Sequence, residues 1–84
     1  MEHNQSRFTL DTPLSIFVSI IGTTNPAWHI AIAFSRRQAL TDMIGYLNMV
    51  MGEEVLTYDA CERDVFAAIA DNLFEPAAII ECDL

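Results

Sequence analysis

The chain has 84 residues, 52% of them hydrophobic, and a formal net charge of −8, with four arginines and no lysine. That length fits one small domain, 1–84, with a thin core, because so short a chain buries only about 60% of the surface its unfolded form exposes. The charge argues against DNA, RNA and anionic membrane surfaces as direct partners, since their phosphates need Lys and Arg to neutralise them.

The opening MEHNQSRF has no basic stretch leading into an apolar one, so no secretory signal is expected; residues 1–7 read as a frayed terminus and the protein as cytoplasmic. The apolar runs Leu14–Ile21 and Ala27–Phe34 are interrupted by Ser15, Ser19 and His29 and fall well short of the ~18 residues of a membrane span. They read instead as a hairpin. Leu14, Ile16, Val18 and Ile20 alternate with Ser15, Phe17, Ser19 and Ile21, and Phe8 and Leu10 share the first parity. After the turn residues Gly22 to Pro26, Trp28, Ile30, Ile32 and Phe34 fall on one face and His29, Ala31, Ala33 and Ser35 on the other. The small face is one on which a helix or a partner can pack closely, and strand parity reads Trp28 as a core residue.

Ser35-Arg36-Arg37-Gln38 is a capping box, and Leu40, Met43, Ile44, Leu47, Val50 and Met51 follow at helical spacing up to the stop signal Gly52. Residues 53–58 are ambiguous and lean towards an extended segment. Asp59-Ala60-Cys61-Glu62 repeats the capping pattern with Asp59 at the cap, and Val65, Phe66, Ile69, Ala70 and Leu73 form the apolar stripe of a helix at about 60–74, ended by Pro76. Ala77–Cys82 reads as a last strand beside the hairpin. The order β-β-α-(β)-α-β predicts an α+β domain with two helices on one face of a three- or four-stranded, mainly antiparallel sheet. The other face then meets solvent or a partner, and neither strand parity is polar enough for full exposure.

Charge is distributed unevenly. Residues 52–84 hold nine acids against Arg63 alone, whereas residues 1–51 are balanced. Asp64 and Asp71, seven apart, share the outer side of the second helix opposite Phe66 and Leu73, while Glu53, Glu54, Asp59 and Glu62 gather near its start, where the helix dipole favours negative charge. These residues and Glu75 are the candidate partner-binding surface, suited to a basic protein that itself handles nucleic acid. Arg36 and Arg37, the only basic cluster, can pair with acids of the second helix or contact a partner, and read as an intramolecular or merely solvated pair. His29 lacks a second ligand at useful spacing, no D-x-D-x-D-G loop is present, and so neither metal nor cofactor is expected. Cys61 and Cys82 read as buried free thiols. Phosphate-binding glycine loops and nucleophile elbows are missing, so an enzyme is not expected.

In size, acidity and lack of catalytic motifs the chain is similar to small phage or mobile-element inhibitors of host defence, of the anti-CRISPR or anti-restriction type. It is similar also to antitoxins and immunity proteins that neutralise basic nucleases. The similarity is one of general character and transfers no residue role. It implies an acidic blocker of a basic site; the alternative is a structural or adaptor subunit that homodimerises or joins a larger assembly through its open sheet face or an edge strand.

Overall fold

The computed structural model describes residues 15–23 and 26–83. Phe8, Leu10, Leu14 and the expected frayed terminus lie outside them. Within them the order is β1 (Ser15–Ile21), β2 (His29–Ala33), α1 (Arg36–Met51), α2 (Glu62–Leu73) and β3 (Ala77–Asp83), an α+β domain. The sheet is antiparallel with order β2-β1-β3, so the last strand pairs with the first and makes it central. Gly22 ends β1 with φ +96, and a Cβ there would stand 3.1 Å from Cδ1 of Trp28, so both the turn and the indole require glycine. The Gly22 N–H donates to the Pro76 carbonyl and the Trp28 N–H to that of Ile21, each at 2.8 Å, tying the three strands at this end.

The alternation of the strands sorts side chains by size. Ser19, Ile21 and Ala33 are buried beneath the helices, and Ala77 and Ile79 pack on the same core. Two alanines, Ala31 and Ala33, let α1 lie close to β2. The remaining core comes from the helices: Leu40, Met43, Ile44 and Leu47 of α1 at the expected spacing, and Val65, Ile69 and Leu73 of α2. Phe66 is only partly buried against it. Trp28, expected in the core, is 50% exposed, because α1 settles on the small face of β2 and leaves the bulky one outside.

The first helix begins as the capping box foretells: the Gln38 N–H donates to Ser35 Oγ at 3.0 Å. The Gln38 side chain, however, turns forward to Asp42 at 2.9 Å and leaves the box half made. Gly52 closes the helix at φ +73. The second helix departs from its pattern at both ends. Its N-cap is Cys61, with no side-chain cap bond; Asp59 instead accepts from the Thr57 hydroxyl in the preceding turn. Phe74, at φ +59, ends it two residues before Pro76. Neither cysteine is buried: Cys61 is exposed and Cys82 intermediate, both as free thiols.

Residues 53–58 form no strand, so the sheet has three strands among the described residues. A side chain holds this segment in place of a ladder. Asn48 Oδ1 accepts from the amides of Val55 (2.9 Å) and Leu56 (3.3 Å), and its Nδ2 donates to the Leu56 carbonyl at 3.0 Å. Val55 and Leu56 are thereby pressed onto the core. Asn48→Ala strands these partly buried groups and is expected to cost ~1–3 kcal/mol, with Asn48→Asp, which keeps the acceptor, costing less. A urea midpoint unchanged by Asn48→Ala would contradict this. Gly45, within α1, has only the Tyr58 ring at 3.8 Å from an added Cβ, an ordinary contact. Gly45→Ala is therefore expected to raise stability by ~0.5–1 kcal/mol, and a fall in the same titration would show that Tyr58 has no room to give.

Candidate interaction surfaces

The two faces of the sheet differ in chemistry. Register places Ile32, Val18 and Ile80 in one row across the three strands and Ile30, Ile20 and Ala78 in the next, with Ile16 opposite Cys82 beyond them. All of these lie on the side away from the helices. Ile30 is 59% exposed, Ile32 63% and Ile80 48%, and half-exposed Trp28 continues their alternation. The outer face thus collects five isoleucines and a valine and carries no charged residue at its strand positions. Beneath the helices the same strands present Phe17, Ile21 and Ile79 beside serines, alanines, His29 and, towards the end of β3, Glu81 and Asp83. A small domain ordinarily buries its larger apolar side chains, so a contiguous outer patch of this kind is unusual and sets this face apart as a candidate interaction surface. Sequence reasoning expected an open sheet face able to meet a partner but did not name these residues as a site; the bulky-against-small alternation of residues 28–35 was the signal for them.

The expected acidic surface is extended rather than concentrated. Glu53 and Glu54 follow α1, Asp59 lies in the connection, Glu62 and Asp64 open α2, Asp71 lies in its last turn, and Glu75 precedes β3. Glu62 to Asp71 alone spans about 13 Å of helix. Asp64 and Asp71 do share the exposed side of α2, as their spacing requires. Part of the charge is answered within the molecule. Arg36 Nε and Nη2 donate to the two carboxylate oxygens of Glu62 at 2.7 and 3.1 Å, joining the starts of α1 and α2. This fork holds the Glu62 carboxyl below its ordinary range, and the Arg36 guanidinium above its own, with Glu81 adding to the field at Arg36. The Thr57 hydroxyl bond lowers the Asp59 carboxyl, with a lesser contribution from Arg37. Asp64 has Arg63 at 3.6 Å, an exposed neighbour worth little. Glu53, Glu54, Asp71 and Glu75 form no ion pair among the described residues.

One serine and one histidine meet. Ser19 Oγ lies 3.0 Å from Nε2 of His29, and the His29 ring stands 5.3 Å from that of Tyr46, tilted by 41°. This arrangement has the atoms of a nucleophile and base but not the access, because Ser19 is fully buried under α1. It serves to satisfy a buried hydroxyl. Among the described residues no three His, Cys, Asp or Glu side chains group as metal ligands, and no helix is long and apolar enough to cross a membrane. No family model, curated protein or solved structure matches the chain.

Burial lowers the His29 pKa, with the Asp42 carboxylate opposing in part. A histidine held below its unfolded value contributes fully above about pH 6.5, and that contribution is lost as pH falls, because the unfolded chain takes the proton first. Asp59 and Glu62 act the same way only below about pH 4.5, the ordinary carboxyl range. Stability measured by urea unfolding is therefore expected to decline from pH 7 to 5, and His29→Gln, which keeps a partner for Ser19, to flatten that decline. An equal slope in the variant would remove His29 as its source.

Proposed function

We propose that this chain is a non-enzymatic structural or adaptor subunit that docks through the face of its sheet that points away from the helices. The observation that supports this is the inversion of side-chain size: Ile16, Val18, Ile20, Ile30, Ile32 and Ile80 face outward while Ser19, Ala31 and Ala33 face the helices. An apolar row with no charge at its strand positions gives affinity without depending on ionic attraction. The acids of the helical side then keep the subunit soluble and repel wrong partners.

A second reading, an acidic blocker seated in the basic, nucleic-acid-binding site of a partner protein, is supported by a different observation. The exposed carboxylates of Glu53, Glu54, Asp64 and Asp71 lie in the half of the chain that holds all the net charge. Inhibitors of host defence and neutralisers of basic nucleases belong to this type. The readings differ in how salt acts on them, since the screening length shrinks from ~10 Å at 0.1 M to ~3 Å at 1 M while apolar contacts persist.

The test is capture with tagged protein, an untagged second copy being present, at low and high salt. Ile32→Thr and the pair Asp64→Asn/Asp71→Asn are run alongside. The subunit reading expects capture that withstands salt and the Asn pair but is lost with Ile32→Thr. Capture that survives Ile32→Thr and vanishes with salt or with the Asn pair would overturn it in favour of the blocker.

A further inference from the structure

Resting on the docking face just proposed, we infer that its occupant is a second copy of this chain, stacked face to face with β2 of each copy over β3 of the other. The first ground is a gradient of size across the sheet. The β2 edge of the face carries Ile30 and Ile32, extended by Trp28, whereas the β3 edge carries Ala78, Ile80 and Cys82. Packed sheets stand ~10 Å apart and interdigitate, so bulk on one must meet a hollow on the other. A two-fold axis running along β1, between the sheets, exchanges left and right while leaving each row at its own level. Ile30 of one copy then lies above Ala78 of the other and Ile32 above Ile80, so each bulkier β2 edge meets the lighter β3 edge. A two-fold axis across the strands instead sets β2 over β2 and β3 over β3, jamming one edge and opening the other.

Charge points the same way. A chain of net charge −8 repels its own copy unless the carboxylates are kept away from the contact. Here Glu81 and Asp83 of β3 alternate to the helix side, and α2 carries Asp64 and Asp71 on the far side of the molecule. The face offers a basic or polar partner nothing to pair with, and an uncharged apolar centre is the composition of interfaces between identical subunits. Three strands ~4.8 Å apart and five to seven residues long give a footprint of about 15 by 20 Å per copy. That is small beside the ~800 Å² per partner of a standard interface, so the dimer is a weak, reversible one whose dissociation is to be sought at micromolar to submillimolar concentration.

Sedimentation equilibrium of the full chain, under reducing conditions because Cys61 is an exposed thiol, tests this over about 1–500 µM, which brackets that range. The variants are Ile32→Thr and Ala78→Ile, both β-branched and exposed, with circular dichroism confirming that each folds. Wild type is expected to pass from monomer to dimer, and each variant to weaken the dimer about tenfold or more, Ile32→Thr by losing apolar contact and Ala78→Ile by filling the seat of Ile30. A wild-type chain monomeric throughout overturns the proposal, as does a dimer indifferent to both variants or strengthened by Ala78→Ile. Binding of an apolar fluorescent dye separates the two levels. A monomer that binds dye, and loses it with Ile32→Thr, removes the second copy but keeps the docking face; a monomer that binds none removes both.

Discussion

The close seat of α1 on β2 is the constraint from which the rest follows. A helix can approach a strand only as near as the side chains between them allow, and here those are Ala31 and Ala33, with Ser19 and His29 beside them joined by a hydrogen bond. Once the small parity of β2 is turned inward, the period of two leaves no choice for Trp28, Ile30 and Ile32, which must face out. Antiparallel pairing carries the decision across the sheet: Ile20 and Val18 stand opposite Ile30 and Ile32, and Ala78 and Ile80 beyond them. The apolar outer face is thus a consequence of the inner packing.

The core remains adequate because the helices supply what the inner face of the sheet lacks. Leu40, Met43, Ile44 and Leu47 meet Val65, Ile69 and Leu73, so α1 and α2 pack largely on each other's side chains and on Ile21. Two polar devices hold them in that relation. The Arg36–Glu62 fork joins their starts, which places a cation at a helix N-terminus where the dipole disfavours it and answers it with a carboxylate. Asn48 fixes the connecting segment from the last turns of α1, so that one amide holds residues whose sequence left open whether they join the sheet. The long acidic strip along α2 is left facing away from both the core and the apolar sheet face. A molecule built this way has one apolar surface and, on its other side, one charged surface.

Much of this was legible in the residues. Period two in residues 15–21 and 29–33, the Ser35 cap, the apolar spacing of Leu40 to Leu47 and of Val65, Ile69 and Leu73, and the stop at Gly52 all express local rules, and the structure follows them, leaving Val50 and Ala70 of the expected stripes exposed. What local rules did not decide was direction. The alternation around Trp28 separated bulky from small correctly, yet reading Trp28 as core rested on strand parity, which does not say which face the helices cover; the close approach of α1 to the small face decides it. Asp59 has the chemistry of a cap, but a bond to Thr57 holds it in the preceding turn, and Phe74 takes a left-handed conformation that glycine usually supplies. The acids were identified individually and their spread along α2 was implicit in the helix; the apolar face, which spans three strands from both ends of the chain, needed the pairing of β3 with β1 to become a surface.

The most direct test of this account is the solvent exposure of isoleucine methyls, measured by NMR with a soluble paramagnetic agent at a dilution low enough to keep the chain monomeric. Strong relaxation at Ile30, Ile32 and Ile80, with Ile21, Ile44 and Ile69 shielded, is the expected result. Shielding of Ile30, Ile32 and Ile80 to the level of Ile44 under the same dilution would mean that the sheet turns its bulky face inward, and would contradict the account at its root.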